Sequence, residues 1–187
     1  MKRIALFLTL LGAAAMLTAG YAWAEGEAAH SYIGLKKCSM CHKKEATGNQ
    51  LAKWEASAHA KAFTDLSSEA GKAKAAKLGI ADPTTDAKCL SCHSTGHGTK
   101  AELGAAALLP ADGVSCEACH GPGNDYFKKA TMEQIAAGTL DGKTVGLIMP
   151  AKEVCLTCHK AENPEHKGTF DFAAAAKKID HSIPKQP

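Results

Sequence analysis

Eight cysteines fall into four pairs of one form: Cys38-Ser39-Met40-Cys41-His42, Cys89-Leu90-Ser91-Cys92-His93, Cys116-Glu117-Ala118-Cys119-His120 and Cys155-Leu156-Thr157-Cys158-His159. C-x-x-C-H is the sequence that attaches haem covalently. On a helical turn, residues three apart share a face, so both sulfurs can form thioethers with the two vinyl groups of one porphyrin. The histidine, four residues after the first cysteine, lies over the same face and offers its imidazole to the iron. Cys38, Cys41, Cys89, Cys92, Cys116, Cys119, Cys155 and Cys158 are therefore read as cofactor-binding residues. His42, His93, His120 and His159 are read as the proximal ligands of four covalently bound haems.

Three other chemistries compete for paired cysteines. Zinc ribbons use C-x-x-C knuckles, but they do not require a histidine directly after every second cysteine. Histidine is 9 of 187 residues, so its recurrence at that position in all four motifs is not chance. A disulfide scaffold would bridge within C-x-x-C, which is the strained and reactive arrangement. Thioredoxin-like motifs come singly beside a βαβ pattern, and no such pattern is present here.

Elements that could position the motifs read as helices joined by loops. A helix is expected over 43–67 with a break near Gly48, and an Ala/Lys-rich helix over 68–78, stopped by Gly79 and Asp82-Pro83. Thr131-Met132-Glu133-Gln134 has the form of a capping box before a short helix, and 170–181 reads as a terminal helix. The stretches 94–115 and 120–125 are rich in glycine and proline and read as loops. Period-2 strand patterns are nearly absent. The motifs start 51, 27 and 39 residues apart, which excludes a fixed-period repeat.

Composition agrees with a mostly α fold with long irregular loops, its core built from four packed haems. Aromatic residues are only 5% of the chain, so side chains supply little large apolar surface. Porphyrins would replace that surface, and burial around them would drive folding. Without haem the polypeptide is expected to be unfolded, as structural metal sites are without their ion.

The N-terminus reads as a signal peptide over 1–24. Lys2 and Arg3 precede an apolar run from Ile4 to Leu17, and Ala22-Trp23-Ala24 is a small-residue cleavage pattern. The run is shorter than the roughly 20 residues a membrane span needs. Residues 25–187 would then form one tetrahaem domain with no membrane span after cleavage. Removing Lys2 and Arg3 lowers the 22 basic residues to 20 against 19 acidic ones, which is no nucleic-acid footprint. Export and haem attachment support each other, because covalent haem ligation takes place outside the bacterial cytoplasmic membrane. The localisation is read as periplasmic, with an extracellular destination open.

Five histidines lie outside the motifs: His30, His59, His97, His166 and His181. Four irons each have a sixth position, and imidazole suits iron. His59 is expected on a helix with Phe63 four residues on, and His181 near the end of the terminal helix. Both read as distal ligands. His97 lies four residues past His93 in a glycine loop, near a haem but poorly placed for the opposite face of its own. His30 and His166 stand in polar segments.

The runs Tyr32-Ile33-Gly34 to His42, Trp54 with Ser57-Ala58-His59-Ala60-Lys61-Ala62-Phe63, and Gly113-Val114-Ser115 to Gly121-Pro122-Gly123 resemble the tetrahaem cytochrome c-554 family. The resemblance implies a helical fold with haems in closely packed pairs, three of them bis-histidine and the second without a strong distal ligand. It also implies that His59 serves the third haem and His181 the fourth. The chain departs from the pattern after the third motif, where 124–129 contains no histidine for the first haem. Either another ligand replaces it, with His97 the first choice, or the first iron remains open.

A bis-histidine iron passes electrons, whereas an open one can bind small ligands. The reading favoured is an electron carrier or relay between redox partner proteins. Lys36-Lys37, Lys43-Lys44 and the lysines of 72–77 could dock acidic partners, although the last group also reads as a solvated helix face. Two alternatives are a reductase of small nitrogen oxides or peroxide at an open haem, and a homo-oligomer or filament in which one protomer's histidine ligates a neighbour's iron.

Overall fold

A computed structural model describes residues 29–160, 163 and 170–183. The signal-peptide reading and His166 lie outside the described residues. Those described form helices and turns with no strand. The helices are α1 (Leu35–His42), α2 (Gln50–Glu55), α3 (Ala58–Leu66), α4 (Glu69–Lys77), α5 (Ala87–His93), α6 (Cys116–His120), α7 (Lys129–Ala136), α8 (Lys152–Cys155) and α9 (Phe172–Ile179). None is long and apolar enough to cross a membrane.

Local chemistry explains most boundaries. The helix expected over 43–67 is divided twice: at Gly48, whose φ of 96° is left-handed, and at Ser57, where the backbone is extended. Asn49 caps α2 by accepting from the Ala52 amide, and Ser68 caps α4 by accepting from the Gly71 amide. Two expected ends are corrected. Helix α7 starts at Lys129 rather than at a box on Thr131, because the turn 123–127 ends at Lys128, whose extended backbone releases the helix directly. Helix α9 ends at Ile179, because extended Asp180 turns the chain and accepts from the Ser182 amide at 2.9 Å. His181 therefore follows the helix.

The apolar interior is thin. Leu66, Ala75, Ile80, Leu90 and Tyr126 are its buried members, and Met149, Ile183 and Met40 stay largely exposed. Polar links at 94–115 take over much of the positioning. The buried Thr95 hydroxyl donates to the Gly113 carbonyl at 3.0 Å and accepts from the Ser115 amide at 2.6 Å. This joins the end of the second motif to the start of the third. Next to it, the Val114 amide donates to the His59 carbonyl at 3.0 Å, and the Trp54 indole donates to the Val114 carbonyl at 2.8 Å. So close is this approach that a Cβ on Gly113 would stand 2.6 Å from the His59 oxygen. Gly113 also has a φ of 59°, a conformation glycine adopts freely.

Thr95→Val keeps the shape of the side chain and leaves the buried Ser115 amide without an acceptor. It should lower stability by about 1–3 kcal/mol in denaturant unfolding of the assembled protein, with Thr95→Ser recovering most of the loss. Equal midpoints for Thr95→Val and wild type would remove this link from the account.

Candidate haem and iron-ligand site

Three motif helices end on their histidine: α1 on His42, α5 on His93 and α6 on His120. In the fourth motif the helix closes at Cys155, yet the His159 amide still donates to the Cys155 carbonyl at 2.9 Å. All four motifs thus keep the helical turn that brings two sulfurs and an imidazole to one face.

A neutral imidazole carries its proton on one nitrogen and a lone pair on the other. A carbonyl can only accept, so a ring nitrogen bonded to one must be the protonated nitrogen. His93 Nδ1 donates to the Ala62 carbonyl of α3 at 2.6 Å, and His120 Nδ1 to the Ile148 carbonyl at 3.1 Å. His42 Nδ1 lies 3.2 Å from Oε1 of Gln50, the first residue of α2. Outside the motifs, His181 Nδ1 donates to the Ile179 carbonyl at 2.7 Å. In each carbonyl-bound ring Nε2 is left as the lone-pair nitrogen, the state an iron ligand requires. Burial lowers the pKa of His59 and of His120 and favours their neutral rings; for His120 the Ile148 bond opposes the shift, and neighbouring His181 and His42 add to it.

The structure opposes two pairs of imidazoles. His59 and His159 have ring centroids 5.9 Å apart with planes at 71°, and His120 and His181 stand 5.8 Å apart at 79°. With imidazole–metal bonds of about 2 Å, the length seen with zinc, ring centroids flanking one ion stand roughly 6 Å apart. The resemblance implies His59 for the third motif and His181 for the fourth. The structure reverses this, setting His59 against the fourth and His181 against the third. The turn after α9 carries His181 past the helix end to His120. Phe170 stacks on the His159 ring at 4.9 Å and backs that imidazole.

The remaining histidines are placed otherwise. His97 is exposed in its loop between Gly96 and Gly98 and is not brought against a motif histidine. His30 donates from Nδ1 to Asp125 Oδ2 at 2.7 Å. Among the described residues no second imidazole stacks against His42 or His93.

The attachment cysteines adjoin in a definite order. Cys38 of the first motif lies beside Cys116 of the third, and this neighbour, with burial, pushes the Cys38 thiol up. Cys119 of the third is pushed up to about 11, first by burial and then by Cys155 of the fourth. Cys158 of the fourth lies beside Cys92 of the second, and its thiol is raised first by burial, with Cys92 adding to it. By these neighbours the motifs run first, third, fourth, second. None of it follows chain order.

Two positioning groups were not readable from the motifs. Glu117, inside the third motif, accepts backbone amides from the distant 31–34 loop and from Gly123 just after its own motif. Tyr126 donates to the His120 and Gly121 carbonyls at 3.1 and 2.8 Å, and burial raises its phenol well above the usual value. The Gly-Pro-Gly after His120 was the one signal that a constrained loop follows the third motif.

The residues present fit haem c. The eight cysteines are free thiols, paired three residues apart. Carbonyl-held rings present Nε2, and two pairs of rings have the separation that one iron would span. These features define a c-type cytochrome, a protein that carries covalently attached haem. The family described as "Cytochrome c554 and c-prime" matches residues 37–121. Cytochrome c-554 of Nitrosomonas europaea is 40% identical over 99 residues, a match covering 51% of this chain and 40% of that protein's length. The solved structure of reduced cytochrome c554 from Nitrosomonas europaea aligns with a TM-score of 0.55 and 30% identity, covering 81% of this chain and 79% of that one. The chain belongs to the cytochrome c554 family.

Proposed function

We propose that the chain is a periplasmic tetrahaem electron carrier, exported by residues 1–24 and acting through residues 25–187 as a relay between redox partner proteins. Cys38/Cys41, Cys89/Cys92, Cys116/Cys119 and Cys155/Cys158 would each hold one haem, with His42, His93, His120 and His159 as proximal ligands. Haem iron supplies one-electron chemistry, exchanging ferric and ferrous states within a fixed ligand set. The observation that carries the reading is the pair of opposed imidazoles, His59–His159 and His120–His181. An iron held on both faces passes electrons and binds no substrate.

Adjacency of the cysteines supports a relay, since the third and fourth attachment sites lie between the first and the second. The first site is close to the surface. Met40 is 59% exposed, and Lys36, Lys37, Lys43 and Lys44 are exposed around it. These lysines offer a docking surface to acidic partners. A second reading, reduction of a small nitrogen oxide or peroxide, draws on His42 and His93, which among the described residues have no imidazole stacked against them.

Two experiments test these readings. His59→Ala should turn the haem at Cys155/Cys158 high-spin and able to bind carbon monoxide when reduced, and His181→Ala should do the same at Cys116/Cys119. Unchanged electron paramagnetic resonance and carbon monoxide spectra in both variants would remove the bis-histidine assignment. For the activity, the fully reduced protein should give up its electrons rapidly to a basic-patch-binding acceptor cytochrome and show no turnover with nitrite, hydroxylamine or peroxide. Multiple turnovers with any of the three would favour the reductase.

A further inference from the structure

The two variable positions inside C-x-x-C-H need no charge for haem attachment. Three motifs fill them with Ser-Met, Leu-Ser and Leu-Thr, whereas the third carries Glu117-Ala118. Glu117 is 2% exposed, and a carboxylate is almost never buried so fully without partners. Its partners are all backbone donors. Oε1 accepts from the Ile33 amide at 3.0 Å and the Gly123 amide at 2.7 Å, while Oε2 accepts from the Gly34 amide at 2.8 Å.

This is a donor-only environment, which suits an acceptor-only carboxylate and holds no carbonyl or carboxylate to receive a proton from it. No lysine, arginine or histidine is paired with it among the described residues. The loops it joins are the approach to the first motif, 31–34, and the Gly-Pro-Gly after the third. Its field reaches the two adjoining attachment cysteines as well, where its charge helps raise Cys38 and opposes the lowering of Cys116. Those two sulfurs belong to different haem sites. A buried anion beside them favours the more positive ferric iron over the ferrous, and a low dielectric strengthens the effect.

We propose that Glu117 is a fixed negative charge set between the first and third haem sites, holding the reduction potentials of those two haems down while its backbone bonds lock their loops together. The inference rests on the haem attachment proposed above. Glu117 acts here as a positioning and potential-setting residue.

Glu117→Gln removes the charge with little change of shape, and Glu117→Asp keeps the charge but shortens the reach to the amides. In potentiometric titrations of the haem-loaded protein, Glu117→Gln should shift two of the four reduction steps to higher potential and leave the other two nearly in place. Glu117→Asp should stay close to wild type. A merely structural role would make the two variants behave alike or would move all four steps. Unshifted steps in a Glu117→Gln protein that carries all four haems would overturn the proposal. Mass spectrometry of the wild type keeps the two ideas apart, since fewer than four haem adducts there would count against the haem assignment instead. If Glu117→Gln fails to mature, the redox-difference infrared spectrum of wild type with isotope-labelled glutamate decides. A labelled carboxylate band supports the proposal, and a labelled carboxylic-acid band overturns it.

Discussion

A histidine gives Nε2 to a metal with the ring proton on Nδ1, and that N–H almost always has an acceptor. Much of this fold can be understood as the supply of those acceptors. The Ala62 carbonyl comes from α3, the Ile148 carbonyl from the segment before α8, and the Ile179 carbonyl from the end of α9. Each is a main-chain group, so the rings are held by backbone whose own position depends on the packing of distant elements. Loss of one such bond frees the ring to rotate and to change tautomer, and second-partner bonds of this kind commonly weaken metal sites 10- to 100-fold when removed.

A chain with so few buried large side chains is not organised by ordinary helix packing, and its helices are short. Order comes from buried polar links at the places where motifs meet: Thr95 between the second and third, Glu117 between the first and third, Tyr126 over the end of the third. Such links are directional, which suits cofactors that must be held at fixed separations. The haem c that the family carries supplies the apolar bulk that the sequence lacks.

The C-x-x-C-H motifs were legible because covalent haem attachment demands that two cysteines and a histidine be neighbours in sequence. His59 and His181 were legible as imidazoles in apolar, helix-forming surroundings. Their partners were not, since His59 meets His159 through contacts 100 residues apart that no local pattern encodes. The loop of His97 illustrates the converse. Its glycines announce a tight turn, but a turn does not say which way the ring faces, and the ring is exposed. Glu117 escaped notice because its burial depends on 31–34 folding over it. A lone glutamate in a motif looks like a surface residue until that happens.

The central claim is that two irons are clasped by His59–His159 and His120–His181 within haem sites ordered first, third, fourth, second. An anomalous iron difference map from crystals of the mature protein tests it most directly. The account predicts four iron peaks in that order, with imidazole density on both faces of the peaks nearest Cys116/Cys119 and Cys155/Cys158. Fewer than four peaks, or His59 and His181 lying away from those irons, would contradict it.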